Sequence, residues 1–229
     1  MQALMKKLIY LFTCLVTTAV FNSCGNDDDN PFTESTSGEV FATVESFAPD
    51  HVFFSVYRPG PTEYLFTYGC DRSPIITEEE YPVGTRVFIA YTMVGIQLTD
   101  PLRIRLNNIS KVNTVNLKSA GPDQCKLDYP PIALGSNAYV SGGYINFVAN
   151  VQQAASRTWN VLLDTETSTD DVAHVYILTE AVDARPQRIN LPISVALSTF
   201  KPQYKYIILH YKTENNNDYT LSLQIPIKP

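Results

Sequence analysis

Residues 51–68 read HVFFSVYRPGPTEYLFTY. Two runs dense in aromatic and β-branched residues, His51–Tyr57 and Glu63–Tyr68, flank Arg58-Pro59-Gly60-Pro61. Side chains of that kind suit a pleated, half-buried surface, and the Pro-Gly-Pro punctuation between them is a strong turn signal. The same pattern extends outward in both directions. Before it, Val40, Ala42 and Val44 alternate with Phe41, Thr43 and Glu45. After it, Pro82-Val83-Gly84-Thr85 is a second turn that opens Arg86–Val94 (RVFIAYTMV). Leu102–Leu117 then continues as a longer apolar run, through Leu102, Ile104, Leu106, Ile109, Val112 and Val115. Sustained helical periodicity is missing, although Ile75–Tyr81 has room for one acidic helical turn. Five strands in about eighty residues suit a small closed barrel, expected over residues 39–118.

Composition breaks in residues 119–136, where Gly121-Pro122, Pro130-Pro131 and Cys125 fall, so this segment reads as a connection. A second block spans residues 137–229. Its expected strands are Tyr139–Val151, interrupted by Gly142-Gly143, then Thr158–Asp164, Val172–Val182, Ile189–Ala196 and Tyr206–Thr213, and a return strand Tyr219–Ile227 after a polar hairpin tip. Strands at this spacing predict an antiparallel β-sandwich. The whole chain is therefore expected to be all-β, in keeping with 14 Tyr, 11 Phe and 15 Pro among 229 residues.

The N-terminus has a different character. Lys6 and Lys7 precede an apolar run, Leu8–Val20, which leads into Phe21-Asn22-Ser23-Cys24. That layout predicts a secretory signal over residues 1–23 and a lipid-attached Cys24. Residues 24–38 hold the acylated cysteine and a polar, acidic tether with too little apolar content to order itself. Asp27-Asp28-Asp29 lacks the alternate spacing of a calcium loop. The formal charge is −6, and loss of Lys6 and Lys7 leaves about −8, an acidic balance that argues against nucleic-acid binding. Cys70 and Cys125 remain as an even pair in an exported protein, a candidate disulfide that would contribute about 4 kcal/mol through loop closure. Two buried free thiols are the alternative.

No catalytic constellation stands out. His51, His174 and His210 are scattered over separate strands without metal-ligand spacing. Glu78-Glu79-Glu80 is an acidic run, whereas general acid–base chemistry needs carboxyls in different environments across a cleft. No catalytic residue, metal ligand or cofactor is expected. The one binding signal is aromatic: Phe53, Tyr57, Tyr64 and Phe66 lie on consecutive strands and form a candidate face for stacking on sugars. The competing use of such residues is to fill a small barrel.

Together the chain resembles the NigD-like family of bacterial envelope lipoproteins. The resemblance rests on the lipoprotein signal and acidic tether, on Tyr81–Tyr91 (YPVGTRVFIAY), on Ile104–Asn116 (IRLNNISKVNTVN) and on Asn137–Phe147 (NAYVSGGYINF). Phe21 and Ser23 depart from the usual lipobox, which places an aliphatic residue three before the cysteine. The acidic run after Cys24 looks like the surface-export signal of lipoproteins in Gram-negative anaerobes. The resemblance implies an OB-like N-terminal barrel, a C-terminal sandwich and a link to bacteriocin immunity. It defines no catalytic residue. The expected protein is a non-enzymatic one, held at the outer membrane or cell surface by lipid on Cys24 and binding a protein partner. A surface glycan-binding module and a subunit of a surface fibre are the alternatives.

Overall fold

The computed structural model describes residues 37–95, 100–126, 130–134, 138–200, 203–213, 215 and 217–227. The signal, Cys24 and the tether up to residue 36 lie outside the described residues. None of the described residues is α-helical. The first five strands are β1 (Ser37–Phe47), β2 (His51–Arg58), β3 (Tyr64–Asp71), β4 (Arg86–Met93) and β5 (Leu102–Lys111). They close into a barrel in the order β1-β2-β3-β5-β4. Alternation sends Val40, Ala42, Val44, Val52, Phe54, Val56, Val87 and Ile89 to the interior, where each is buried. Between β3 and β4, a turn-rich segment buries Ile76 and Tyr81 in the same core. Tyr81 N–H donates to the Thr77 carbonyl at 2.8 Å, the single helical turn expected there. Register shifts at Val44/Ser46 and Ala90/Tyr91 add the local bend that a tight barrel needs.

The remaining strands are β6 (Asn113–Ala120), β7 (Ala133–Leu134), β8 (Tyr139–Ser141), β9 (Tyr144–Gln152), β10 (Ser156–Asp164), β11 (Val172–Val182), β12 (Arg188–Ala196), β13 (Tyr206–Lys212) and β14 (Asp218–Gln224). They run in the order β14-β13-β11-β10-β6-β12-β9-β7, with β8 paired to β9. β6 is the hinge of this arrangement. Its first half, Asn113–Asn116, pairs with β12, and its second half, Leu117–Ala120, pairs with β10. One strand thereby serves two layers, which is how corners are made in folded-over sheets. Between the layers lie Phe147 and Val151 of β9, Val161 and Leu163 of β10, Val175 of β11, Ile193 and Val195 of β12, and Ile207 and Leu209 of β13. Each such side chain contributes roughly 1.5–3 kcal/mol on leaving water.

The fold is thus all-β, a barrel followed by a sandwich-like block. Antiparallel pairs β9–β12, β10–β11 and β13–β14 carry the block, and the parallel pairs β6–β10, β6–β12 and β11–β13 join them. Two boundaries differ from the sequence reading. The sequence places the end of the tether at residue 38, yet β1 starts at Ser37. The first block was expected to reach residue 118, yet its last strand ends at Lys111 and β6 pairs wholly within the second. Barrel and sandwich belong to one compact unit, Ser35–Pro229.

Candidate functional site

The candidate disulfide is absent, and the alternative of two buried thiols is what the structure shows. Cys70 and Cys125 are both free, buried thiols. Cys70 sits in the barrel core, and Cys125 lies in the loop after β6, beside Asp164. Burial, reinforced by Asp71, pushes the Cys70 thiol up to about 11. Burial, reinforced by Asp164, does the same to Cys125, also to about 11. Both are therefore protonated and poor nucleophiles at neutral pH.

The four candidate aromatics do not share one face. Phe66 packs against the barrel core, with the Arg58 guanidinium 4.8 Å over its ring. Phe53 lies on the outside, stacked on His51 at 6.2 Å and closing over Gly69. Tyr57 is also external, but it is held against Gly142 of the sandwich. Only Tyr64 stands free, 61% exposed at the start of β3. The β2–β3 register explains the main split: Phe66 lies opposite buried Val56 on the inner face, whereas Phe53 and Tyr57 fall on the outer one.

What the structure builds instead is a junction between barrel and sandwich. The β8–β9 hairpin turns through Gly142 and Gly143, at φ of 59° and 78°, backbone angles that favour glycine in a two-residue turn. A Cβ on Gly142 would come within 2.8 Å of the Tyr57 ring, so the close approach also requires glycine. Gly142 N–H donates to Oε1 of Glu63, which is only 8% exposed. Beside it, Ile227 N–H donates to the Pro61 carbonyl at 3.0 Å, and Glu63 N–H donates to the Ile227 carbonyl at 3.2 Å.

Deeper in the junction, Arg86 of β4 crosses into the sandwich. Asn146 and Ser194 face each other across the β9–β12 pair, both fully buried. The Arg86 Nη2 group donates to Asn146 Oδ1 at 2.9 Å, and Nε donates to Ser194 Oγ at 3.4 Å. Nη1 donates to Thr43 Oγ1 at 3.1 Å, and the guanidinium lies 4.8 Å from the Tyr144 ring centroid. Desolvation lowers the Arg86 pKa, opposed by Tyr139, Tyr144 and Tyr57. This knot holds position; it does not present a reactive group.

A pocket of about 520 Å³ opens beside the hairpin. Val140, Leu197, Phe200, Tyr204 and Ile225 supply apolar walls, and Glu63 an acidic one. Tyr64, Leu65 (54% exposed) and Ile227 (69% exposed) are the exposed large apolar residues adjoining it in sequence or in its wall. A larger depression, about 650 Å³, lies over the outer face of β6 and β10, but its lining is mostly polar loop and strand: Lys118, Asp123, Gln124, Lys126 and Asn160.

A second cluster was not foreseen. His174 Nδ1 and His210 Nε2 are 2.9 Å apart, and Tyr176 stacks on His210 at 4.2 Å. The parallel β11–β13 pair brings them together, and no local spacing in the sequence announces a pairing between non-consecutive strands. Asp164 nearby is tied into its own turn by N–H groups of Glu166 and Thr167, at 3.0 and 3.1 Å. Burial raises its pKa, but these bonds and His174 outweigh that and hold it below the usual carboxylate value. Burial, then His174, lowers the pKa of His210. Among the described residues no three His, Cys, Asp or Glu side chains converge as metal ligands.

No family model matches the chain, and comparison with curated proteins gives no significant match. The fold itself has clear counterparts. A protein of unknown function from Bacteroides vulgatus is similar over 84% of this chain and 92% of that one, at 16% identity and a TM-score of 0.61. A NigD-like immunity protein from Bacteroides caccae aligns over 80% of this chain and 91% of its own, at 14% identity and a TM-score of 0.54. A candidate lipoprotein from Bacteroides fragilis aligns over 84% and 99%, at 11% identity and a TM-score of 0.58. The resemblance to NigD-like proteins read from sequence motifs therefore extends to the fold of the barrel and sandwich together.

Proposed function

We infer that this chain is a non-enzymatic envelope protein, held at the outer membrane by lipid on Cys24, that binds a protein partner at the barrel–sandwich junction. The junction is the observation that carries the reading. It combines an apolar pocket that has exposed Ile227 in its wall with exposed Tyr64 and Leu65, which follow Glu63 of that wall in sequence, on an acidic chain. Aromatic and aliphatic anchors grouped around a pocket are how protein interfaces concentrate their affinity. Asp164 is committed to its turn, and the two thiols are buried. The signal-like segment before Cys24 supports the anchor, and so does the fold shared with a candidate lipoprotein. An immunity role is the finer form of this reading, supported by the fold shared with a NigD-like immunity protein.

Both halves are tested in the cells that make the protein. Cys24→Ala is expected to move the chain from the membrane to the soluble fraction. Tyr64→Asp combined with Leu65→Asp is expected to leave it on the membrane but to remove its co-purifying partner. Membrane retention of Cys24→Ala would reject the anchor. A partner retained by the double variant would reject the junction.

A further inference from the structure

Glu63 has an unusual position for an acid. It is 8% exposed, one carboxyl oxygen accepts the Gly142 N–H, and it forms part of the wall of the apolar junction pocket. Its other oxygen has no hydrogen-bond or ion-pair partner among the described residues and keeps contact with solvent. Two cations lie close in sequence or space, and both are engaged elsewhere. Lys205, in the same pocket wall, pairs with Asp171 at 3.1 Å. Arg58, at the end of β2, donates to the Tyr68 hydroxyl at 2.9 Å and lies over Phe66. The open oxygen of Glu63 is a negative point in a mainly apolar wall, where an incoming cation would find a charge-assisted acceptor. The rest of the wall consists mainly of Val140, Leu197, Phe200, Tyr204 and Ile225, which suits an aliphatic stem.

We propose that the pocket receives the side chain of a lysine or arginine from the partner protein, its apolar stem against Leu197, Phe200 and Ile225 and its cationic head on the free oxygen of Glu63. Lysine and arginine are the side chains that join a long apolar stem to a charged donor. A charge-assisted bond formed out of water is among the stronger hydrogen bonds available. The acidic balance of the chain favours a basic partner surface. Ile227, exposed in the same wall, would pack beside the entering residue. This inference rests on the protein-binding reading and specifies the chemistry of that same site.

Isothermal titration of the full chain in detergent tests it with three short capped peptides, identical but for a central lysine, Nε-acetyl-lysine or norleucine. The lysine peptide is expected to bind about tenfold or more tightly than the other two. Glu63→Gln keeps an acceptor for Gly142 and removes the charge, so it is expected to abolish the preference while leaving the thermal midpoint unchanged. Equal affinity for the three peptides would overturn the proposal without calling on any variant. A preference that survives Glu63→Gln would also overturn it. So would binding of n-hexylammonium by a chain that rejects the lysine peptide, since the pocket would then belong to a small amine. A partner captured in cells by a chain without lysine preference overturns this inference alone. Lysine preference with no partner in cells overturns the protein-binding reading.

Discussion

His210 lies half-buried on β13, between the ring of Tyr176 and Nδ1 of His174. Burial and then His174 hold its pKa below the ordinary 6.5; Asp164 on β10 and Asp218 on β14 pull the other way without restoring it. The unfolded chain therefore takes up this proton first as pH falls. The stability attached to the neutral ring is fully present above about pH 6.5 and is lost progressively as pH falls toward the lower folded value. The thermal midpoint is expected to drop between about pH 7 and pH 5, and His210→Gln is expected to flatten that part of the profile. Identical profiles for the two proteins would show that another group sets the acid limit. Residues of this kind were hidden in the sequence. His174 and His210 are 36 positions apart on strands that pair only because β11 and β13 are parallel neighbours. Glu63 was equally inconspicuous, since nothing local says that the β8–β9 turn will cover it. Gly142-Gly143, by contrast, stood out as a break within Tyr139–Val151, and it is the turn that makes the contact.

Among the elements, the strands themselves were readable and their partners were not. β2, β3 and β4 follow the runs around residues 51–68 and 86–94, because alternation and turn residues are local properties. The long run Leu102–Leu117 reads as one strand in sequence. Its apolar spacing changes from two to three after Leu106, and that change has structural meaning. Asn107 is the extra residue between the Leu106–Tyr91 and Asn108–Ala90 pairs, and Val112 separates β5 from β6. Beyond it, β6 leaves the barrel and joins both layers of the sandwich. Pro192 agrees with this. It stands one residue before the β6 pairing of β12 begins at Ile193, where its missing N–H costs no ladder bond on that side. If β6 is the corner strand, Leu117→Ala should cost about 2–5 kcal/mol in urea denaturation. Lys118→Ala, on the exposed side, should stay within about 0.5 kcal/mol of the parent. Similar small losses for both would mean that β6 does not bury its inner face between the layers.

At the scale of the whole molecule, the barrel and sandwich act as a single body. Arg86, the Glu63–Gly142 bond, the Phe41–Tyr139 contact at 6.1 Å and the Thr62–Ile227 bridge all join them. The all-β class and the two blocks could be read from the chain, since they follow from composition and period. The junction could not, since it depends on how the blocks dock. The candidate aromatic face failed for that reason: Tyr57 is used up by docking and Phe66 by the barrel core, leaving Tyr64 exposed. The central claim is that this junction is the partner-binding face. Its most direct test places a photo-crosslinking amino acid at Tyr64, and in parallel at exposed Val182 on β11, in the full-length protein in cells. The account predicts one discrete cross-linked protein from position 64, none from position 182, and loss of the cross-link when Glu63→Gln is added. Equal cross-linking from both positions, or none from position 64, would contradict it.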